Sequence, residues 1–406
     1  MELTVEYAGK SGPLPVGRLY QDARGTVYFE YDAAWRGGGR ELSPLHLPNA
    51  TTGAVVSPTP MFSELHGLFE DVLPDWWGRR MMRQRFTEAG IPWHKVTALQ
   101  KLACQGDRKM GALVFRPVLD DRNFNDHLLV ELSSLVESAR QAMTSDTADL
   151  LRELVRSGMS PGGARPKALL AFSADFRQVH IDEPPPAGYE PWLVKFDLEP
   201  DLHEGRIEHA YALMARAAGI QVGETRLIES DGACHFATRR FDRTMDGVRL
   251  HLHSFSGLTH TPVRDGLEYG DLMELARGLT ADHRVVEEVF RRAVFNVAAG
   301  NEDDHGRNHA FLMEDDGTWR LSPAYDLTCV SNALASGFRA ARVNGRAADI
   351  RRADLIKLGE AHDVRRVPET IDRVLAAIAD WPTHARDAGI PQPTIDYTAG
   401  NMPGVK

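Results

Sequence analysis

Asp303, Asn308 and Asp326 are the residues in this sequence best suited to chemistry. A carboxylate, an amide five positions on and a second carboxylate beyond one hairpin-like segment make up the set that phosphoryl transfer from ATP requires. In that reading Asp303 orients and deprotonates an acceptor hydroxyl, while Asn308 and Asp326 hold Mg²⁺ on the phosphates. Asp-x-x-x-x-Asn is also the spacing of the protein-kinase catalytic loop. The competing account is a polar loop whose Asp and Asn side chains cap a helix and shape a turn. Gly300, Asn301 and Gly306 weigh against it, because they cramp the loop directly after a strongly apolar helix. His305 and His309 would suit a zinc pair only on a regular helix, which Gly306 argues against, so His305 reads as a group that fixes the loop.

Further upstream, Ser160-Pro161-Gly162-Gly163-Ala164-Arg165-Pro166-Lys167 joins two elements. Its glycines could let backbone N–H groups converge on an anion, with Arg165 or Lys167 adding charge. The stretch does not match G-x-x-x-x-G-K-[ST], which disfavours a P-loop, and an ordinary turn is the plainer account. Lys195 stands inside the apolar run Trp192-Leu193-Val194-Lys195-Phe196. Turned inward, it needs a charged partner, which Glu208 on the following helix could supply while Lys195 holds the α/β-phosphates. Turned outward, it is an ordinary sheet lysine. Arg239, Arg240 and Phe241 sit where the strand-rich half gives way to the helical half. There an adenine could meet main-chain groups against the Phe241 ring. Singly these signals are weak. Their order (glycine turn, strand lysine, helix glutamate, hinge, Asp-x4-Asn, Asp) is that of a two-lobed kinase.

The elements that must carry these groups follow from periodicity. Leu3, Val5 and Tyr7 alternate with polar residues as a half-buried strand should, and Thr26 to Tyr31 reads as a second strand after an Arg24-Gly25 turn. Leu65, Leu68, Phe69 and Val72 predict a helix from Ser63, stopped at Pro74. Ala168–Phe172 and Trp192–Phe196 predict buried strands, and Ile207 to Ala218 a helix closed by Gly219. Val286, Phe290, Ala293 and Val297 mark the helix before the catalytic loop. Ile371, Val374, Leu375 and Ile378 mark another near the end. The Pro/Gly-rich tail from Pro391 reads as loosely held. The division expected is 1–118, a small α+β domain; 119–245, a kinase-like N-lobe; 246–390, a helical C-lobe; and 391–406, a tail.

The chain has 406 residues, 43% apolar and 26% charged, enough for two or three lobes. A formal charge of −10 gives no basic footprint for autonomous nucleic-acid binding. No apolar run approaches a membrane span, and the N-terminus is acidic where a secretory signal would be basic. Cys104, Cys234 and Cys329 lie far apart, against a disulfide framework or a thiolate zinc site, so a reducing cytoplasm is the expected home.

The combination of Ser160–Lys167, Arg240-Phe241-Asp242-Arg243, Gly300–Asn308 and Pro323-Ala324-Tyr325-Asp326 resembles the HipA family of bacterial kinase toxins. Phe69-Glu70-Asp71-Val72-Leu73-Pro74-Asp75 and Gly106–Leu113 resemble that family's small first domain. The resemblance implies an α+β fold: a two-lobed protein-kinase-like catalytic domain with a small α+β N-terminal domain and a mainly helical C-terminal lobe. It implies an ATP- and Mg²⁺-dependent serine/threonine protein kinase, the toxin of a pair whose partner is a HipB-like helix-turn-helix antitoxin. DNA would be met only through that antitoxin, and the substrate would be a translation-related protein such as an aminoacyl-tRNA synthetase. By motif, Asp303 is the implied proton acceptor, with Asn308 and Asp326 as metal ligands and Lys195 on the phosphates, paired to Glu208. Arg239, Arg240 and Phe241 form the implied hinge. Gly162, Gly163, Ala164, Arg165, Pro166 and Lys167 form the phosphate loop, with His305, Arg307 and Tyr325 beside the nucleotide. Ser160 falls where family members phosphorylate themselves, and charge added there should disturb a phosphate-cradling loop. A small-molecule phosphotransferase and a non-catalytic kinase-like corepressor remain the alternatives.

Overall fold

The computed structural model describes residues 1–57, 64–107, 109–119, 135–139, 165–181, 183–230, 232–330 and 339–405. At the N-terminus, alternation does what it predicts. Leu3, Val5 and Tyr7 are fully buried on one face of β1 (Glu2–Gly9). β2 (Gly12–Gln21), β3 (Val27–Tyr31), β4 (Val55–Val56) and β5 (Leu113–Arg116) complete a sheet of order β4-β3-β2-β1-β5. Among the described residues it is accompanied by α1 (Ala33–Arg36), α2 (Gly67–Glu70), α3 (Trp76–Glu88) and α4 (Ala98–Cys104). Trp35, Leu68, Phe69, Leu99 and Leu102 close the core on the buried face.

The helix expected from Ser63 is corrected here; Ser63 itself lies outside the described residues. Leu65, Leu68, Phe69 and Val72 are all buried as their spacing implies, but only the four residues of α2 are helical. Pro74 stops the run, and the Asp75 side chain then caps α3 by accepting from Gly78 N at 2.8 Å.

The second sheet, of order β7-β6-β8-β10-β9, comprises β6 (Lys167–Ser173), β7 (Val179–His180), β8 (Tyr189–Lys195), β9 (Thr225–Ser230) and β10 (Ala233–Arg239). α5 (Glu204–Ala217) lies against it, so close that a Cβ on Gly205 would come within 2.1 Å of the Cys234 carbonyl oxygen. Gly219, at φ +83°, ends that helix run as predicted.

The largest core belongs to the C-terminal part. It includes α6 (Phe255–Thr259), α7 (Tyr269–Thr280) and α8 (His283–Ala298), then α9 (Arg352–Ala361), α10 (Val367–Ala379), α11 (Trp381–Asp387) and α12 (Gln392–Gly400). A three-stranded sheet of order β11-β13-β14 joins it: β11 (His251–Ser254), β13 (Ala310–Met313) and β14 (Trp319–Leu321). β12 (Leu267–Glu268) and β15 (Ala341–Arg342) pair in parallel. The tail is a second correction: over its described residues, 391–405, it is not loosely held. α12 forms there, Ile395 is 1% exposed in the core, its carbonyl accepts from Trp381 Nε1 at 3.0 Å, and Gly404 N donates to Ala298 O. Pro393 sits in the first turn of α12, where a missing N–H costs nothing, so proline content misleads. No helix among the described residues is long and apolar enough to cross a membrane.

Candidate active site

Between the second sheet and the C-terminal helices lies a cleft of about 940 Å³, mouth included, lined by Lys167, Lys195, Glu208, Phe241, Tyr325 and Asp326 among others. Its most telling feature is a pair of lysines. The register of β6 on β8 sets Lys167 directly opposite Lys195. Two buried ammoniums in cross-strand register repel, so each needs its own anion. Lys167 Nζ is 2.8 Å from Asp75 Oδ2, with both side chains almost fully buried. Lys195 Nζ is 2.5 Å from Glu208 Oε1 and also bonds Asp326. The strand lysine thus faces inward, and the helix glutamate and the late aspartate meet on its head.

Asp326 takes φ +57°, a left-handed conformation that Asp tolerates better than most residues and that is strained outside glycine. Burial alone would favour its neutral form, but Lys195 and then Lys167 outweigh this and hold the carboxyl well below the usual range. Asp303 differs. Burial raises its pKa above the ordinary carboxylate value, and Asp326 and Asp304 push the same way while His305 and Lys195 oppose. The two acids therefore differ in environment: nearby lysines favour the charged form of Asp326, and burial favours the neutral form of Asp303. Asp304, the next residue in the chain, is 1% exposed and fully committed. It accepts from Tyr269 Oη at 2.6 Å, Arg339 Nη2 at 2.5 Å and Ala341 N at 3.1 Å. It braces the loop.

The loop itself is a 3₁₀ turn, Gly306–Asn308, after α8. Gly306 is closely packed there: a Cβ would stand 2.8 Å from Ser256 Oγ. Asn308 Nδ2 donates to the Asp303 carbonyl at 2.9 Å, tying the two residues together, and Tyr325 Oη donates to the Arg307 carbonyl at 2.6 Å. Asn308 Oδ1 is buried without a hydrogen-bond partner among the described residues. That amide oxygen and the Asp326 carboxylate are both hard oxygen donors, the kind a divalent cation such as Mg²⁺ takes. No group of three or more His, Cys, Asp or Glu side chains arranged for a metal occurs among the described residues. His309, 2% exposed, has its pKa pushed down to about 3 by burial.

Of the remaining sequence candidates, the Phe241 ring lies 5.3 Å from that of Tyr325, forming an apolar wall. The Arg239 guanidinium is held by Glu190 at 3.0 Å, and that of Arg240 by Asp242 at 3.0 Å and Glu183 at 3.1 Å. Their main-chain N–H groups are committed as well, Arg239 N donating to Glu224 O at 2.9 Å and Arg240 N to Pro191 O at 3.0 Å. Arg307 Nη2 donates to Glu70 Oε1 at 3.0 Å, and Arg165 pairs with Glu204 at 2.9 Å. The Pro166 carbonyl accepts from Phe196 N at 2.9 Å, extending the β6–β8 ladder. Ser160, Gly162, Gly163 and Ala164 lie outside the described residues. Sequence reasoning missed Asp71, which lines the cleft, and Glu70 and Asp75, which hold the lining residues Arg307 and Lys167: their partners lie far along the chain, and no local periodicity marks them.

The model of the HipA-like C-terminal domain matches residues 159–381, and that of the HipA N-terminal domain matches residues 11–116. Two Sinorhizobium fredii proteins named as proposed kinases, Y4dM and Y4mE, are 32% identical over 152 residues and 30% identical over 125 residues. A similarly named Haemophilus influenzae protein is 26% identical over 191 residues. The matches cover 34%, 28% and 43% of this chain and only 36%, 30% and 54% of those proteins. The fold is similar to that in a solved complex of Shewanella oneidensis MR-1 HipA, HipB and operator DNA. The TM-score is 0.71 at 17% identity, over 98% of this chain and 95% of that one.

Proposed function

The chain belongs to the HipA family, and from that premise we propose that it is an ATP-dependent serine/threonine protein kinase acting as the toxin of a toxin–antitoxin pair. The observation that carries the reading is the meeting of Lys195, Glu208 and Asp326 at the cleft, with Asp303 and Asn308 tied together beside them. Lys195, neutralised on its other side by Glu208, is positioned to bind the α/β-phosphates. Phe241 and Tyr325 offer the adenine an apolar wall. Asp303 accepts the proton of the acceptor hydroxyl as its oxygen bonds to the γ-phosphorus. The bond from that phosphorus to the β,γ-bridging oxygen breaks, and its electron pair leaves with ADP. Asn308 and Asp326 would hold Mg²⁺, which supplies charge neutralisation on the phosphates. Autophosphorylation at Ser160 and a translation-related substrate, such as an aminoacyl-tRNA synthetase, belong to the same proposal.

The similar Shewanella oneidensis protein was solved with HipB and operator DNA. That supports a HipB-like antitoxin as partner here, with DNA met through it. The test is phosphoproteomics of cells expressing the wild type beside Asp303→Asn. New phosphoserine or phosphothreonine sites confined to the wild type are expected, together with growth arrest that a co-expressed antitoxin relieves. Identical phosphoproteomes would overturn the protein-kinase reading.

A further inference from the structure

The segment Glu70–Asp75 belongs to the N-terminal domain, yet three of its carboxylates each grip a different part of the catalytic half. Glu70, 5% exposed, accepts from Arg307 Nη2 in the catalytic loop at 3.0 Å and from Arg79 Nη2 at 2.8 Å. Asp71 takes the end of β11. Its Oδ2 accepts from Ser254 N at 2.7 Å and lies 2.6 Å from His253 Nδ1, while its Oδ1 accepts from Ser254 Oγ at 2.7 Å. Asp75 pairs with Lys167 at 2.8 Å, beside the cleft wall.

A backbone path runs parallel to these bonds. A Cβ on Gly67 of α2 would come within 2.0 Å of the Gly257 carbonyl oxygen in α6, and one on Gly257 within 2.1 Å of Asp71 Oδ2. On its other side α6 presents Ser256 to Gly306 of the catalytic loop. Such clearances leave no room for slippage, so the N-terminal domain, α6 and the catalytic loop are packed as a stack.

We infer that the N-terminal domain is a working part of the phosphotransfer centre, in which Glu70 positions the catalytic loop through Arg307 and Asp75 positions the phosphate-side lysine, Lys167. The inference rests on the kinase reading and assigns the two carboxylates separate duties. Glu70 fixes the loop that carries Asp303, so it governs the chemical step. Asp75 holds Lys167 away from Asp326, its other nearby anion, so it governs how well the triphosphate is bound. Both are positioning residues; neither touches the reacting atoms.

Steady-state kinetics of the full chain with Mg²⁺–ATP separates these duties, with thermal melts run in parallel. Glu70→Gln should lower kcat by about ten-fold or more while the KM for ATP stays within about three-fold. Asp75→Asn keeps an amide oxygen to cap α3. It should raise the KM for ATP by about five-fold or more and leave kcat within about three-fold. A merely structural role would move both constants together in both variants. Should Glu70→Gln fail to fold, Glu70→Asp keeps the charge but draws it back from Arg307, and should show a smaller loss confined to kcat. An active wild type whose variants keep both constants, or lose both together, overturns the inference alone. A wild type with no transfer at all overturns the kinase reading and this inference with it.

Discussion

At the scale of single residues, the site is a balance of opposed buried charges. Lys195 holds two carboxylates, Glu208 and Asp326, and its side chain is only 12% exposed. Removing one partner of such a cluster is worse than never having built it, because the remaining charges have no solvent to turn to. Lys195→Met should therefore cost about 3–5 kcal/mol at neutral pH, measured by urea unfolding. The loss should shrink as pH falls and Glu208, whose pKa burial already raises, takes up a proton. A variant as stable as wild type would mean that the three groups do not form one cluster. Sequence alone carried Lys195 part of the way: an apolar strand makes an inward lysine conspicuous, and α5 comes next in the chain. It could not reveal Lys167 as the cross-strand partner or Asp75 as its counter-ion. Register and distant pairing are tertiary facts, and Asp75 lies 92 positions from Lys167.

At the scale of elements, most of what periodicity predicts is present. The strands around Ala168–Phe172 and Trp192–Phe196, the helix closed at Gly219 and the apolar helix before the catalytic loop all form. Even the hairpin between Asn308 and Asp326 appears, as β13 paired with β14. The misreadings share a cause. Apolar spacing at 65–72 reports burial, which it predicts correctly, but a close crossing at Gly67 and a proline at 74 limit how much of it can be helix. Proline and glycine in the tail suggested looseness, whereas Ile395 docks against Trp381 and proline is tolerated in the first turn of α12. Ile395→Ala should then lower stability by about 2–5 kcal/mol in a denaturant titration. A change below about 0.5 kcal/mol would restore the loose-tail account.

At the scale of the whole molecule, the N-terminal domain and the catalytic half are joined by buried, charge-assisted hydrogen bonds as well as by the carboxylates of 70–75. Arg240 and Arg243 both donate to the Lys109 carbonyl, at 2.9 and 3.1 Å, and Gly111 N donates to Asp242 at 2.7 Å. Two separate stretches that resembled the same family thus meet, through Lys109 and Gly111 on one side and Arg240, Asp242 and Arg243 on the other. Lys109 within it is 1% exposed, and burial pushes its pKa from 10.5 down to about 7. A lysine whose folded pKa is depressed binds fewer protons than it does in the unfolded chain between those two values. Stability should therefore rise with pH across that window, by up to about 1.4 kcal/mol per pH unit from this group. Lys109→Met should flatten the rise. Parallel slopes for wild type and variant from pH 7 to 10 would place the lysine in solvent.

All three scales serve one claim, that Asp303 takes a proton in a cleft where Lys195, Asn308 and Asp326 manage a metal-bound triphosphate. Its most direct test is single-turnover transfer of the γ-phosphate in wild type and Asp303→Asn, with Mg²⁺–ATP affinity measured on the same samples. The account predicts ATP affinity within a few-fold of wild type and transfer slowed by about 10³-fold or more in the variant. Transfer at the wild-type rate from Asp303→Asn would contradict it.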